Sequence, residues 1–166
     1  MKGKPEVLNV LSEMLKEELS AINQYMLHAE MCNNWGYQKL GGLIKMQAIG
    51  EMKHTEQLIE RILFLEGLPR MDQMGKLHVG KSVKQQLEND LALEKSAVVA
   101  YNKAVDTCRK ASDNATAEFL TVILKDEEVH VDFLETQLDL IDQLGLQNYL
   151  MQQMAGEKAV AAPAAE

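Results

Sequence analysis

Residues that make tight turns are scarce in this sequence, and so are aromatic residues. Of 166 residues, 3 are proline and 10 are glycine, and aromatic side chains make up 5%. A sandwich or barrel of short strands needs many turns, so this scarcity argues against those folds and favours long helices. No uninterrupted apolar run approaches the roughly 20 residues that a membrane-spanning helix requires. The composition therefore predicts an all-α protein without a membrane helix.

Cysteine and positive charge are also in short supply. The chain contains two cysteines, Cys32 and Cys108, and no apolar stretch follows the lysines at its start, so we expect a cytoplasmic protein with both thiols reduced. The 25 acidic side chains outnumber the 17 basic ones, which gives a net charge of −8. Such a surface repels nucleic acids and anionic membranes, and small cations are the partners that match its charge.

Four long amphipathic segments follow one another along the chain. Start and stop signals place them at about 5–33, 38–67, 82–110 and 114–145, and a short fifth helix could cover 146–151. The second and third are joined by about a dozen residues, from Arg70 to Lys81, which can span about 40 Å when extended. A 28-residue helix is about 42 Å long. The pattern predicts a four-helix bundle with one long crossover, the connectivity of ferritin-like folds, over 1–154, followed by a disordered Ala-rich tail, 155–166.

Charged residues interrupt the apolar stripe of every long helix. Six of them occupy positions where steps of three and four residues predict a core side chain: Glu18, Glu51, His54, Glu94, Glu127 and His130. Glu51 follows Glu18 by 33 residues, Glu127 follows Glu94 by the same 33, and the second trio lies 76 residues after the first. In each Glu-x-x-His motif the two side chains share one helix face, so both can meet the same ion.

Four carboxylates in an apolar interior need cations or protons to balance them, since each bare charge would cost several kcal/mol. Two divalent ions would neutralise them, and a set of oxygen and nitrogen ligands suits Fe²⁺ and related transition metals better than Ca²⁺ or Mg²⁺. The lack of a thiolate argues against structural zinc. The 17 glutamates and 4 histidines would produce about 0.4 Glu-x-x-His matches by chance. The spacing thus favours a dimetal site. The alternative is that the helices are rotated differently about their axes and that these charges face solvent.

Several sequence strings resemble those of bacterioferritins, the haem-binding branch of the ferritin-like di-iron family. They are Ala21–Tyr25, Glu51–His54, Ile59–Pro69 and Leu144–Leu150, and the resemblance covers nearly all of 1–154. It implies a shell of 24 identical subunits that oxidises Fe²⁺ with O₂ or H₂O₂ at a di-iron centre in each subunit and stores the ferric mineral inside. It also implies haem b at two-fold interfaces and a small ferredoxin as the electron donor for iron release.

The resemblance also assigns roles to residues. Glu18 and Glu94 would be terminal carboxylates, Glu51 and Glu127 bridges, His54 and His130 nitrogen ligands, and Met52 the ligand of the haem iron. Tyr25 is either a hydrogen-bond or redox partner of the site or a core residue. Asp90 and Asp126 are either outer partners of the ligands or ordinary solvated or capping residues.

This chain departs from the best-known bacterioferritins near the inner wall. Met46, Gln47 and Gly50 stand where a His, a Glu and an Asp often contribute to an iron site or gate, and Leu58 and Phe133 replace a Tyr and a Trp. The route of iron from the di-iron centre into the cavity is therefore open. Three other functions also remain open at this point: a di-iron oxygenase acting on an organic substrate, a haem-free ferritin and a non-enzymatic helical scaffold.

Overall fold

The structure is a computed structural model that describes residues 1–154. Within those residues the chain forms five helices and no strand: α1 Pro5–Asn34, α2 Gln38–Phe64, α3 Val83–Lys110, α4 Asn114–Leu144 and α5 Leu146–Gln153. The predicted all-α fold, with four long helices and a short fifth, is confirmed. The Ala-rich tail predicted at 155–166 lies outside the described residues.

Local signals set the helix ends. Pro5 begins α1, where its fixed φ suits the first turn. The Ser82 hydroxyl accepts a hydrogen bond from the backbone N–H of Gln85 at 3.3 Å and caps α3. The Asp113 carboxylate does the same for α4, at 3.1 Å from the N–H of Thr116. These caps are short-range features, which is why the sequence alone places the helices well.

The long helices form two hairpins, α1 with α2 and α3 with α4, and α1 also packs against α3. Their apolar side chains gather into two separate clusters. One contains Leu11, Leu15, Leu58, Tyr101 and Leu120, and the other contains Tyr25, Leu40, Ile44, Leu87 and Leu134. On each of the four long helices, the inward ionisable residues lie between the segment that belongs to one cluster and the segment that belongs to the other. None of the helices in 1–154 combines the length and apolar composition needed to cross a membrane.

The crossover between α2 and α3 is held by side chains of α1. The Ser20 hydroxyl accepts from the N–H of Gly75 at 2.8 Å, the Gln24 carbonyl from the N–H of His78 at 2.8 Å, and His28 Nε2 from the N–H of Gly80 at 3.0 Å. The three α1 residues are four positions apart and so form one row along the helix. Because a buried backbone N–H needs an acceptor, this row fixes the path of the crossover.

Asp90 completes that arrangement from α3. It is fully buried; Gln24 Nε2 donates to its carboxylate at 2.8 Å, and His28 Nδ1 lies 2.9 Å from it. Since His28 Nε2 accepts from Gly80, the proton of the imidazole is on Nδ1 and is donated to Asp90. Neither role left open for Asp90 is therefore correct, because this buried carboxylate bonds to Gln24 and His28 rather than to a candidate ligand and ties α3 to α1.

Candidate dimetal centre

The structure brings all six predicted residues together between the two apolar clusters. They form two overlapping groups, each with ligand-capable atoms within 4.8 Å of one another: Glu18, Glu51, His54 and Glu127 in one, and Glu51, Glu94, Glu127 and His130 in the other. The four glutamates are at most 3% exposed. Glu51 and Glu127 belong to both groups, whereas Glu18 and Glu94 belong to one group each and are the terminal carboxylates of the cluster in that sense.

Both imidazoles face the shared carboxylates through Nδ1. His54 Nδ1 lies 2.9 Å from Glu51 Oε2 and 3.3 Å from Glu127 Oε1. His130 Nδ1 lies 2.8 Å from the other oxygen of Glu51, Oε1, and 3.2 Å from Glu127 Oε2. The ring centroids are 6.3 Å apart. Each shared carboxylate thus turns one oxygen to each imidazole.

Several atoms of this cluster are buried without a hydrogen-bond partner: Glu18 Oε2, Glu51 Oε1, Glu127 Oε1 and His130 Nδ1. They are four of the six such side-chain atoms in the part of the chain that the structure describes. Buried polar atoms are normally satisfied, so convergent unpaired oxygen and nitrogen atoms are what bound cations would complete. The donor set fits two divalent ions with oxygen and nitrogen ligands.

The pKa values indicate how the cluster balances its charge with protons. Burial raises the pKa of Glu18 and of Glu94 well above the usual range of a carboxyl group. Burial also opposes ionisation of Glu51, but the close contacts of its carboxylate with His130 and His54 outweigh it and lower the pKa of Glu51 to about 2. Burial lowers the pKa of His130, yet its contacts with Glu127 and Glu51 raise it overall, to about 10. A metal ion that binds here must displace such protons.

Two buried tyrosines hold the terminal carboxylates. Tyr25 on α1 donates its hydroxyl hydrogen to Glu94 on α3, and Tyr101 on α3 donates to Glu18 on α1. Burial raises both tyrosine pKa values well above their usual range, so the hydroxyls keep their protons and remain donors. Tyr25 is therefore a hydrogen-bond partner of the cluster, though of Glu94 rather than of Glu18 on its own helix. The sequence reasoning missed Tyr101, which the 76-residue repeat applied to Tyr25 would have found.

Asp126 lies on the outer side of the cluster. Its Oδ2 is 3.3 Å from His54 Nε2, while the rest of its side chain is largely in solvent. Of the two roles that the sequence left open for Asp126, this contact supports that of an outer partner of a candidate ligand. By contrast, Leu58 and Phe133 pack with the two apolar clusters.

Met52 follows Glu51 on α2 but points out of the bundle. Its side chain is about half exposed and lines an open groove of about 730 Å³. The groove also contains Leu19, Ile22, Ile49 and Met71. Met46 is exposed, and Gln47 and Gly50 are partly exposed, on the same helix.

Comparison with known proteins places this geometry in a family. The family described as Ferritin-like domain matches residues 8–144. The bacterioferritin of Mycolicibacterium paratuberculosis is 43% identical over 152 residues, which are 92% of this chain and 96% of that protein. The bacterioferritin of Brucella melitensis is 42% identical over 149 residues, 90% of this chain and 92% of the relative. The chain therefore belongs to the bacterioferritins, within the ferritin-like domain family.

Proposed function

We propose that this protein stores iron and is a ferroxidase, which oxidises Fe²⁺ to Fe³⁺ with O₂ or H₂O₂ at the six-residue cluster. The observation that carries the proposal is the set of buried, convergent and unpaired glutamate and histidine atoms in the middle of an otherwise apolar bundle. Membership of the bacterioferritins supports iron as the substrate. Each Fe²⁺ gives up one electron on oxidation, so a pair of ions supplies the two electrons that, with two protons, reduce O₂ to H₂O₂.

In this proposal the role of each cluster residue follows from its position in the cluster. Glu51 and Glu127 would each contribute to holding both ions, a role supported by the way each turns one oxygen to His54 and the other to His130. The two histidines supply one nitrogen to each ion, and Glu18 and Glu94 are the terminal carboxylates. Enclosure by the apolar clusters excludes bulk water and strengthens every one of these contacts.

The space beside the carboxylates favours this reaction over the oxygenation of an organic substrate. The cavity there is about 10 Å³ and is lined by the four glutamates of the cluster together with Glu17, Ala21, Leu93 and Ala97. That volume holds about one water-sized molecule. O₂ or H₂O₂ can be accommodated, whereas an organic substrate would need a larger apolar pocket next to the metals.

Haem b is proposed to bind at the groove around Met52. An exposed thioether surrounded by apolar side chains fits the ligation of a haem iron by one methionine from each of two subunits. A bis-thioether haem supplies a redox site at the protein surface, where an electron donor such as a small ferredoxin could reduce it for iron release. The alternative is a haem-free ferritin in which this groove is only an interface between subunits.

The assembly and location complete the proposal. We propose 24 identical subunits around a mineral cavity, in the cytoplasm. Burial of Cys32 and Cys108 as free thiols is compatible with a reducing compartment. We expect the purified protein to sediment as a 24-subunit particle, whereas a monomer or dimer would favour a small oxygenase.

The rate of aerobic Fe²⁺ oxidation by the assembled protein tests the ferroxidase. We expect Glu18→Ala and His130→Ala each to lower the initial rate by a factor of about 100, in line with the loss of a transition-state contact of roughly 3 kcal/mol. Glu128→Ala is the matched control, because Glu128 follows a cluster residue on α4 but is exposed. Equal rates for the wild type and the two cluster variants would overturn the proposal.

A further inference from the structure

The two halves of the dimetal centre are related by the 76-residue repeat, and each half has an outer position beside its imidazole. In one half, Nδ1 of His54 faces the shared carboxylates, and Nε2 points outward to Asp126 Oδ2 at 3.3 Å. Asp126 comes directly before the shared Glu127 on α4. An outer acceptor of this kind holds the imidazole in the tautomer and orientation that present the inner nitrogen to a metal.

In the other half the equivalent position is residue 50, which comes directly before the shared Glu51 on α2 and 76 residues before Asp126. Here the residue is glycine. A Cβ added to Gly50 would lie 3.9 Å from His130 Nε2, and apart from its own helix backbone no other atom of the described residues would be within 4 Å. The position is therefore next to the outer nitrogen of His130 but offers it no acceptor.

The environments of the two imidazoles differ accordingly. The side chain of His130 is 15% exposed, against 7% for His54. Among the described residues no side chain accepts a hydrogen bond from His130 Nε2, so only solvent can do so. An imidazole that is held from both sides loses less freedom when a metal binds than one that is held from one side only.

Resting on the dimetal function proposed above, we propose that the Glu18–His54 position binds a divalent ion more tightly than the Glu94–His130 position. The cause is that Asp126 orients His54, whereas Gly50 offers no group that could orient His130. Removal of an outer partner typically costs a factor of 10 to 100 in metal affinity. The hydrogen bond to Asp126 is long and half exposed, so we expect a difference of about 10-fold. The Glu94–His130 position then fills last and empties first.

Titration of the full-length, metal-free protein with Co²⁺ tests this inequality, with visible absorption and calorimetry as readouts that do not depend on iron oxidation. The wild type should bind two ions in two steps whose dissociation constants differ about 10-fold. Gly50→Asp should tighten the weaker step by about that factor. Asp126→Ala should weaken the tighter step, so that the two steps merge.

Two further variants separate orientation from charge. Gly50→Asn supplies an acceptor oxygen without a negative charge and should also tighten the weaker step. Gly42→Asp makes the same change as Gly50→Asp at an exposed site of α2, where an added Cβ meets no atom within 4 Å, and should change neither step.

The outcomes distinguish this inference from the function on which it rests. Two equal steps in the wild type would overturn the inequality while leaving a dimetal centre in place. Tightening by Gly50→Asp but not by Gly50→Asn would overturn the orienting role and leave charge as the cause. No binding of Co²⁺ to the wild type would overturn both the inequality and the proposed function.

Discussion

At the residue scale, the terminal carboxylates of the cluster are held by hydroxyl groups from across the bundle. Tyr25 holds Glu94 and Tyr101 holds Glu18, so each pair joins α1 to α3. A carboxylate that is already oriented presents its second oxygen to a cation without further loss of freedom. The tyrosines thus support the site although neither is among the residues assigned as ligands.

The crossing of these two pairs makes a specific prediction about Co²⁺ binding. Tyr101→Phe should weaken the step that involves Glu18 by about 10-fold and leave the other step unchanged, whereas Tyr25→Phe should weaken the step that involves Glu94. Tyr149→Phe is the control, because the Tyr149 hydroxyl is bonded to Gln137, away from the centre, at 2.9 Å. The same effect of all three substitutions on both steps would contradict the assignment.

At the scale of the elements, the crossover is part of the bundle rather than a loose connection. Its backbone N–H groups at 75, 78 and 80 are bonded to one row of α1 side chains, and Asp90 ties the same row to α3. Gly80 is needed at its position, since a Cβ there would lie 2.4 Å from the backbone nitrogen of Gln86. The long connection therefore adds to the packing of α1 against α3 as a contact between the two hairpins.

Substitution of His28, which lies in the middle of this network, should cause a large loss of stability. His28→Ala leaves the N–H of Gly80 without its acceptor and the buried Asp90 carboxylate with Gln24 as its one remaining donor, so we expect the free energy of unfolding to fall by about 3 kcal/mol. Ser20→Ala, which removes a single hydrogen bond from the same row, should cost about 1 kcal/mol.

Urea unfolding and amide hydrogen exchange check that prediction. In His28→Ala the amides at 78 and 80 should lose protection more strongly than those in the middle of α2 and α4, because the opening is local to the crossover. Unchanged protection at 78 and 80 would mean that another contact holds the crossover in place.

At the scale of the whole molecule, the groove around Met52 is a surface that one chain does not fill. Apolar side chains of α1 and α2 line it, and those of Ile49 and Met52 are exposed. Two copies related by a two-fold axis would bring two Met52 thioethers together. The proposed haem site therefore belongs to a pair of subunits, while the dimetal site is complete within one.

Absorption spectroscopy of the purified assembly checks the haem. The wild type should bind one haem per two chains, Met52→Leu should abolish binding, and Met52→His should shift the spectrum to that of histidine ligation. Met46→Leu is the control, because Met46 is an exposed methionine on the same helix that does not line the groove. Lack of haem in the wild type at saturating supply would identify a haem-free ferritin instead.

The positions of the helices and the level of the polar layer along the bundle follow from local features of the sequence. Helix ends depend on caps, proline and glycine within a few residues, and the steps of three and four residues that place Glu18 or Glu127 inward are equally local. The 76-residue repeat also indicates that the two halves of the chain present the same set of donor atoms at the same level along the bundle. The fold and the composition of the cluster could thus be predicted without any knowledge of contacts between helices.

Which side chains meet across helices, by contrast, depends on how the helices pack against one another. The partnership of Tyr101 with Glu18, the burial of Asp90 against His28 and the open position at Gly50 all depend on the rotation and axial register of one helix against another. A shift of one residue along a helix turns a side chain by about 100° and moves it about 1.5 Å, with no change in the local pattern that the sequence displays. Packing of complete side-chain surfaces fixes that rotation and register, so it also fixes which side chains contact the six residues of the centre.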